Sequence, residues 1–150
     1  MITSSQLNQF FSSEKIAIYG LSRSGKGFSN SVMNELKKKN YECFGINPNG
    51  GDVNGETIYR NYSELPMSTD AAIILVPKKE SIKAVKDAVD SGVKNIWLQQ
   101  GSDSKESIKY CEQNKVNCIH GECILMYAEP VESIHKFHKW IWKLLGKVPA

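Results

Sequence analysis

The chain has 150 residues, of which 41% are hydrophobic and 23% charged, and its formal net charge is +3. This length and composition predict one globular domain with its own core and exclude a second full domain. So small a charge gives no reason to expect a nucleic-acid partner. The sequence has no apolar run near the roughly 20 residues of a membrane span and no signal peptide, so we expect a cytoplasmic protein without a membrane partner.

Strands and helices alternate in the hydrophobic pattern of the first half. A β-branched apolar run predicts a first strand over Lys15–Tyr19, and a glycine-containing loop leads from it to a helix over residues 30–40. Residues 41–46 predict a second strand, and the turn-forming residues 47–51 close it.

The second half continues this alternation. The predicted elements are a short third strand (57–59), a helical turn (63–65), a strand (70–76) ended by Pro77, a helix (79–91), a strand (94–98), a helix (104–115) and a last strand (116–119). In the helix over residues 79–91 we expect Ile82, Val85 and Val89 to face inward and Gly92 to be the C-cap.

Strands separated by helices of about 11 to 13 residues imply right-handed crossovers and a parallel sheet covered on both faces. We therefore predict an α/β fold, a Rossmann-like doubly wound parallel sheet of five to six strands, in a single domain spanning residues 1–150. Its core covers about residues 13–126 and a C-terminal helical extension about residues 130–146. Such sheets bind ligands at the carboxyl ends of the strands, beside the switch point.

The loop after the first strand has the composition of a phosphate-binding loop. Gly20 permits a tight turn, and Gly25 and Gly27 let backbone N–H groups approach an anion at the following helix N-terminus. Arg23 and Lys26 add positive charge. The spacing matches neither GxGxxG nor a Walker A loop, and a solvated glycine-serine connection remains the alternative.

Two details of this loop carry further expectations. We expect Ser29 or Asn30 to cap the helix that follows it. We also expect Gly20→Val to abolish ligand binding and leave the fold intact, because the side chain would fill the space of a pyrophosphate.

The end of the second strand separates two classes of nucleotide. Folds that prefer NAD place an acidic residue there to accept hydrogen bonds from the ribose diol, whereas this chain has Asn47 followed by Pro48. The sequence therefore disfavours an NAD(P)-binding redox regulator but keeps it as an alternative.

In five places, each at a strand end, the sequence resembles the small stand-alone CoA-binding domain proteins, which are related to the CoA-binding domain of succinyl-CoA synthetase α chains. The matching pieces are Gly20-Leu-Ser-Arg, Asn47-Pro48, Pro77, Trp97-Leu-Gln-Gln-Gly101 and Cys123-Ile-Leu-Met126, within about residues 13–126. The resemblance implies that the glycine loop holds the CoA pyrophosphate, that residues after the second strand flank the adenosine ribose, and that the Pro77 loop borders the ligand.

The site implied by this resemblance binds coenzyme A or an acyl-CoA. Its predicted residues are Gly20, Leu21, Ser22, Arg23, Lys26, Gly27, Phe28, Ser29, Asn47, Pro48, Val76, Pro77, Lys78, Gln99 and Gly101. The chain departs from the family pattern at three positions, with Asn49 in place of a basic residue, Lys78 in place of a second proline and Glu122 in place of arginine. Arg23, Lys26 or Lys78 could supply the contact to the 3′-phosphate.

Cysteine and histidine side chains give weaker signals. The four cysteines, Cys43, Cys111, Cys118 and Cys123, form no CxxC pair, and we expect reduced thiols. Cys118, His120 and Cys123 lack the fourth ligand and the spacing of a zinc site, so we predict no metal. Cys118 should turn into the core, whereas Cys123 follows the last strand on the ligand side and could meet a CoA thiol.

The last segment predicts an amphipathic helix over residues 131–145. Ile134, Phe137, Ile141 and Leu145 form one stripe, with lysines opposite. We expect this stripe to cover the sheet, a second subunit or a protein partner. The sequence contains no ordered set of acid, base and nucleophile. It therefore favours a non-catalytic CoA-binding sensor, carrier or regulatory partner, with an interaction module acting through this helix as a further alternative.

Overall fold

A computed structural model describes residues 2–128 of the chain. The predicted amphipathic helix over residues 131–145 lies outside them. The helices are α1 (Ser4–Phe11), α2 (Phe28–Lys38), α3 (Ser81–Asp90) and α4 (Lys105–Gln113), and the strands are β1 (Lys15–Tyr19), β2 (Glu42–Ile46), β3 (Gly51–Val53), β4 (Glu56–Ile58), β5 (Ala71–Ile74), β6 (Asn95–Gln99) and β7 (Asn117–Glu122). No helix within residues 2–128 is long and apolar enough to cross a membrane.

Five strands form one parallel sheet in the order β2-β1-β5-β6-β7. The chain builds outward from β1 to β2 and then crosses to the other side of β1 to continue with β5. The switch point of this doubly wound sheet therefore lies between β1 and β5, where such folds open a crevice at the carboxyl ends of the strands. This architecture confirms the predicted fold class.

Both faces of the sheet are covered, as its apolar strands require. Phe10 of α1 and Leu36 of α2 are buried on one face, together with Trp97 of β6. On the other face, Val85 of α3 and Cys111 of α4 pack in a second buried cluster. Successive side chains of a strand point to opposite faces of the sheet, so each strand contributes residues to both cores.

Helix α1 was not predicted. Thr3 and Gln6 form a capping box, in which Thr3 Oγ1 accepts from the Gln6 N–H at 3.1 Å and Gln6 Oε1 accepts from the Thr3 N–H at 3.0 Å. The helix places Phe10 against Trp97, with ring centroids 5.4 Å apart. Helix α1 therefore contributes to the core in front of the first strand.

The predicted short third strand over residues 57–59 corresponds to β4. The sequence predicts no partner for it, whereas β4 pairs antiparallel with β3 in a separate two-stranded sheet. Asn54 and Gly55 join the two strands with positive φ angles of 53° and 84°. Asparagine-glycine is a strong signal for a tight hairpin turn, and here it joins β3 to β4. Tyr59, next to the hairpin, bridges Ile46 at the end of β2 and so fixes the hairpin beside the main sheet.

Several boundaries also differ from the predicted ones. Helix α2 begins two residues earlier than predicted, and β5 ends at Ile74 rather than at the predicted Val76. In α3, Ile82 and Val89 are only half-buried, because the helix packs closely through the small residues Ala84 and Ala88 on either side of Val85.

Candidate functional site

Gly20 marks the point where β1 ends at the switch point. Its φ is +99°, and a Cβ placed there would lie 2.2 Å from the Leu75 carbonyl oxygen. The backbone that continues β5 therefore occupies the space that any side chain would need. The expectation that Gly20→Val leaves the fold intact is wrong for this reason, and the residue serves the fold as well as the loop.

Hydrogen bonds from two residues of α2 hold the loop between Gly20 and that helix. Ser29 Oγ accepts from the Ser22 N–H at 2.8 Å. Asn30 Oδ1 accepts from the Gly27 N–H at 2.9 Å, and Asn30 Nδ2 donates to the Ser22 carbonyl at 3.0 Å. The predicted capping position is thus wrong, since Gly27 is the N-cap and Ser29 and Asn30 lie inside the first turn. The first turn of the helix nevertheless fixes the loop.

This loop and the start of α2 form a surface suited to an anion. The first-turn N–H groups of a helix have no intrahelical acceptors and carry partial positive charge, and Phe28 and Ser29 occupy that turn. Arg23, Lys26 and Lys78 are exposed, and none of the three forms an ion pair with a residue in the range 2–128.

Asn47 ties the loop after β2 to the loop after β1. Its Nδ2 donates to the Leu21 carbonyl at 2.9 Å, and its Oδ1 accepts from the Asn49 N–H at 2.9 Å. Leu21 itself is buried against Gly45 and belongs to the core. Both ends of the Asn47 amide are therefore used within the protein, while the neighbouring Pro48 is exposed.

A cleft of about 320 Å³ opens at the carboxyl ends of β1, β5 and β6. It brings together seven of the predicted site residues, namely Gly20, Phe28, Ser29, Val76, Pro77, Gln99 and Gly101. The other predicted residues do not line it, namely Leu21, Ser22, Arg23, Lys26, Gly27, Asn47, Pro48 and Lys78.

Three residues that line this cleft were missed, namely Leu75, Gln100 and Ser102. Ser102 is buried, and its hydroxyl donates to the Val76 carbonyl at 2.7 Å and accepts from the Val76 N–H at 3.1 Å. It joins the loops after β5 and β6. Serine is common in loops, so the residue type alone does not mark Ser102 as part of a site. The sequence indicates only that Ser102 lies in a loop at the carboxyl edge of the sheet.

Gln99 forms the boundary between the cleft and the segment that follows β7. It is buried, and its Oε1 accepts from the Ile124 N–H at 3.0 Å. Trp97 Nε1 donates to the Glu122 carbonyl at 3.0 Å and fixes the same segment. Cys123 lies between these two anchors, half-buried, and does not line the cleft.

The remaining thiols and His120 lie away from the cleft. Cys118 and His120 line a separate groove of about 400 Å³ between α1 and α4. Cys118 packs against the α3–α4 core, as predicted, and a hydrogen bond with Cys111 together with burial raises the pKa of its thiol. Residues 2–128 contain no group of three or more His, Cys, Asp and Glu side chains arranged to hold a metal ion.

Comparison with known proteins adds evidence independent of this geometry. The sequence profile of the family described as CoA binding domain matches residues 14–129. The α subunit of an ADP-forming acetate–CoA ligase II from Pyrococcus furiosus is 31% identical over 129 residues, which are 79% of this chain and 28% of that protein. An ADP-forming acetate–CoA ligase I from Archaeoglobus fulgidus is 22% identical over 80% of this chain and 19% of its own length. The chain thus spans less than a third of these curated relatives.

Solved structures show the same fold in proteins of similar size. A conserved hypothetical protein from Pyrococcus furiosus is 33% identical, with a TM-score of 0.68 over 74% of this chain and 96% of its own. A hypothetical protein from Pyrococcus horikoshii is 22% identical, with a TM-score of 0.79 over 87% of this chain and 92% of its own.

Proposed function

This chain belongs to the family of CoA-binding domains, and we propose that it binds coenzyme A or an acyl-CoA along the carboxyl edge of its sheet. The observation that carries the proposal is the pair of surfaces that meet at Gly20. A helix N-terminus lies on one side, with cations that have no ion-pair partner within residues 2–128, and a mostly apolar cleft lies on the other. CoA has the same division between a charged nucleotide and an uncharged arm.

The polar surface fits the pyrophosphate. The first-turn N–H groups of Phe28 and Ser29 favour close approach of an anion. Lys26 lies in the loop before α2 and Lys78 follows Pro77 at the same edge of the sheet, and neither is neutralised by an acid among the described residues. These groups would hold the negative charge of the ligand.

The cleft fits the uncharged arm of CoA. Phe28, Leu75, Val76 and Pro77 give it apolar walls, and the amides of Gln99 and Gln100 supply polar contacts. Bound CoA would bring its own thiol or thioester to this part of the protein. These walls carry no charged side chain, so they would hold the uncharged arm of CoA by shape.

We further propose that binding is the whole function and that the protein acts as a sensor, carrier or regulatory partner. The described cleft lining contains no acid, histidine, lysine or cysteine. The Ser102 hydroxyl already donates to Val76, and the Gln99 side chain already accepts from Ile124. Acyl transfer would require catalytic groups from outside this lining.

Two alternatives remain, and they differ in what they require. An NAD(P)-binding regulator would need an acceptor for the ribose diol after β2, where the Asn47 amide is engaged by Leu21 and Asn49. An interaction module would act through the predicted helix over residues 131–145. Of the three functions, CoA binding has the most support from the described residues.

Calorimetric titration with CoA, acetyl-CoA and NAD tests the proposal. We expect CoA and acetyl-CoA to bind at least about tenfold more tightly than NAD, a difference of about 1.4 kcal/mol. Mass spectrometry of small molecules released from gently purified protein should find a CoA species. Equal or tighter binding of NAD would favour the redox regulator, and no binding of any nucleotide would favour the interaction module. Turnover of acetyl-CoA during incubation would contradict the non-catalytic role.

A further inference from the structure

The sequence contains nineteen lysines and arginines, and only two of them, Arg23 and Arg60, are arginines. They come from different segments, yet both side chains lie against the same turn. A Cβ placed on Gly50 would be 3.1 Å from Arg60 Nε, and one placed on Gly51 would be 3.4 Å from Arg23 Nε. The fold therefore brings the two arginines to adjacent residues of the turn after β2.

The backbone holds Arg60 firmly at this position. The preceding residue, Tyr59, donates to the Gly45 carbonyl at 2.9 Å and accepts from the Asn47 N–H at 2.8 Å. The Arg60 N–H donates to Glu64 Oε2 at 2.9 Å. Arg60 is thus fixed beside the carboxyl end of β2, although it follows the hairpin in sequence.

The two guanidinium groups have no acidic partner in the described part of the chain. The Glu64 carboxylate engages the Arg60 backbone and forms no ion pair with its side chain, and Asp52 Oδ1 accepts from the Gly55 N–H. Arg23 and Arg60 are both exposed, and two like charges beside one turn repel each other unless an anion lies between them. The arrangement is therefore suited to a ligand that carries concentrated negative charge.

We propose, on the premise that the chain binds CoA, that Arg23 and Arg60 together bind the 3′-phosphate and make the site selective for 3′-phosphorylated nucleotides. Arginine presents a planar fork of donors that matches phosphate oxygens better than the ammonium of lysine. The turn at Gly50 and Gly51 follows β2, on the opposite side of β1 from the cleft. A ligand with its pyrophosphate at the start of α2 would direct its nucleotide end to the arginines and its arm into the cleft.

Titration of CoA and dephospho-CoA against the wild type, Arg60→Gln, Arg60→Lys and Arg23→Gln tests this assignment. We expect the wild type to bind CoA at least about tenfold more tightly than dephospho-CoA, in line with charge-assisted hydrogen bonds. Arg60→Gln should weaken CoA and leave dephospho-CoA within about twofold, so that the selectivity falls toward one. Arg60→Lys should retain part of the selectivity for CoA over dephospho-CoA, and Arg23→Gln should lower that selectivity as Arg60→Gln does.

Lys94→Gln is the matched control, because Lys94 is an exposed cation at the amino-terminal end of β6 and its loss should leave the selectivity unchanged. Thermal unfolding of each variant shows that it is folded. Binding of CoA and dephospho-CoA with equal affinity by the wild type would overturn the assignment and leave the proposed function standing. Retained selectivity in Arg60→Gln would exclude Arg60. Failure of both ligands to bind would overturn the proposed function as well.

Discussion

The two sides of β1 at the carboxyl edge differ in chemistry and in how they are held. Toward β2, the loops are tied by the side chains of Asn30 and Asn47 and carry cations that form no ion pair with any described residue. Toward β6, the cleft is mostly apolar, and the Ser102 hydroxyl joins its two loops. The proposed binding of CoA would use this difference, because each neighbouring strand contributes its own loop to one half of the ligand.

Gly20 belongs to both sides, so its substitution should have the largest effect. We expect Gly20→Ala to lower the free energy of unfolding by about 3 kcal/mol, because its Cβ would collide with the Leu75 carbonyl and its φ is positive. Chemical denaturation measures this change. Gly92→Ala is the control, since Gly92 has a φ of +88° and open space around it, and it should lose only about 1 kcal/mol. Equal losses in both variants would show that the contact with Leu75 is unimportant.

The side facing β2 depends on the bonds made by Asn30. We expect Asn30→Ala to cost about 2 kcal/mol of stability, because it leaves the Gly27 N–H and the Ser22 carbonyl without partners. Affinity for CoA should fall with it, since the loop loses its fixed shape. Asn34→Ala, an exposed change on the same helix, should leave both quantities unchanged. Urea unfolding and calorimetry of the two variants provide the comparison.

Features of the two sides of β1 could be predicted from the sequence where they depend on residues close together in the chain. The parallel strands, the glycine loop and the Pro77 loop could be predicted, because each is encoded by neighbouring residues. The position of Arg60 could not, since it depends on the hairpin at Asn54 and Gly55 and on the bridge from Tyr59 to β2. Ser102 and Leu75 were missed for a similar reason, because only the packing of neighbouring strand ends brings them to the same cleft as Gly20.

The cleft side should tolerate the loss of its bridging hydroxyl better than the other side tolerates the loss of Asn30. We expect Ser102→Ala to lower the free energy of unfolding by about 1.5 kcal/mol, because the N–H and carbonyl of Val76 both lose their partner. The loss is moderate, since Val76 is half-buried and water can reach these groups. Affinity for CoA should fall less than in Asn30→Ala. Ser31→Ala is the control, since that exposed hydroxyl makes one contact of 3.5 Å. A larger loss than in Asn30→Ala would reverse the ranking of the two sides.

Phe28 gives the smallest expected effect and separates binding from stability. Its side chain is 50% exposed and lines the cleft, whereas Met67, the other exposed large hydrophobic residue of the described chain, is 40% exposed and lies outside it. Covering the exposed half of a phenylalanine contributes about 1 kcal/mol, so Phe28→Ala should weaken CoA binding about fivefold. Its unfolding free energy should stay within about 0.5 kcal/mol of the wild type.

Met67→Ala serves as the control for Phe28→Ala, because it removes a comparably exposed apolar side chain that has no place in the cleft. Calorimetric titration with CoA should show weaker binding in Phe28→Ala alone. If both variants bind CoA as tightly as the wild type, the arm of CoA does not cover Phe28 and the cleft is assigned to the wrong half of the ligand. If Phe28→Ala instead loses stability in parallel with affinity, the residue supports the start of α2 and its effect on CoA is indirect.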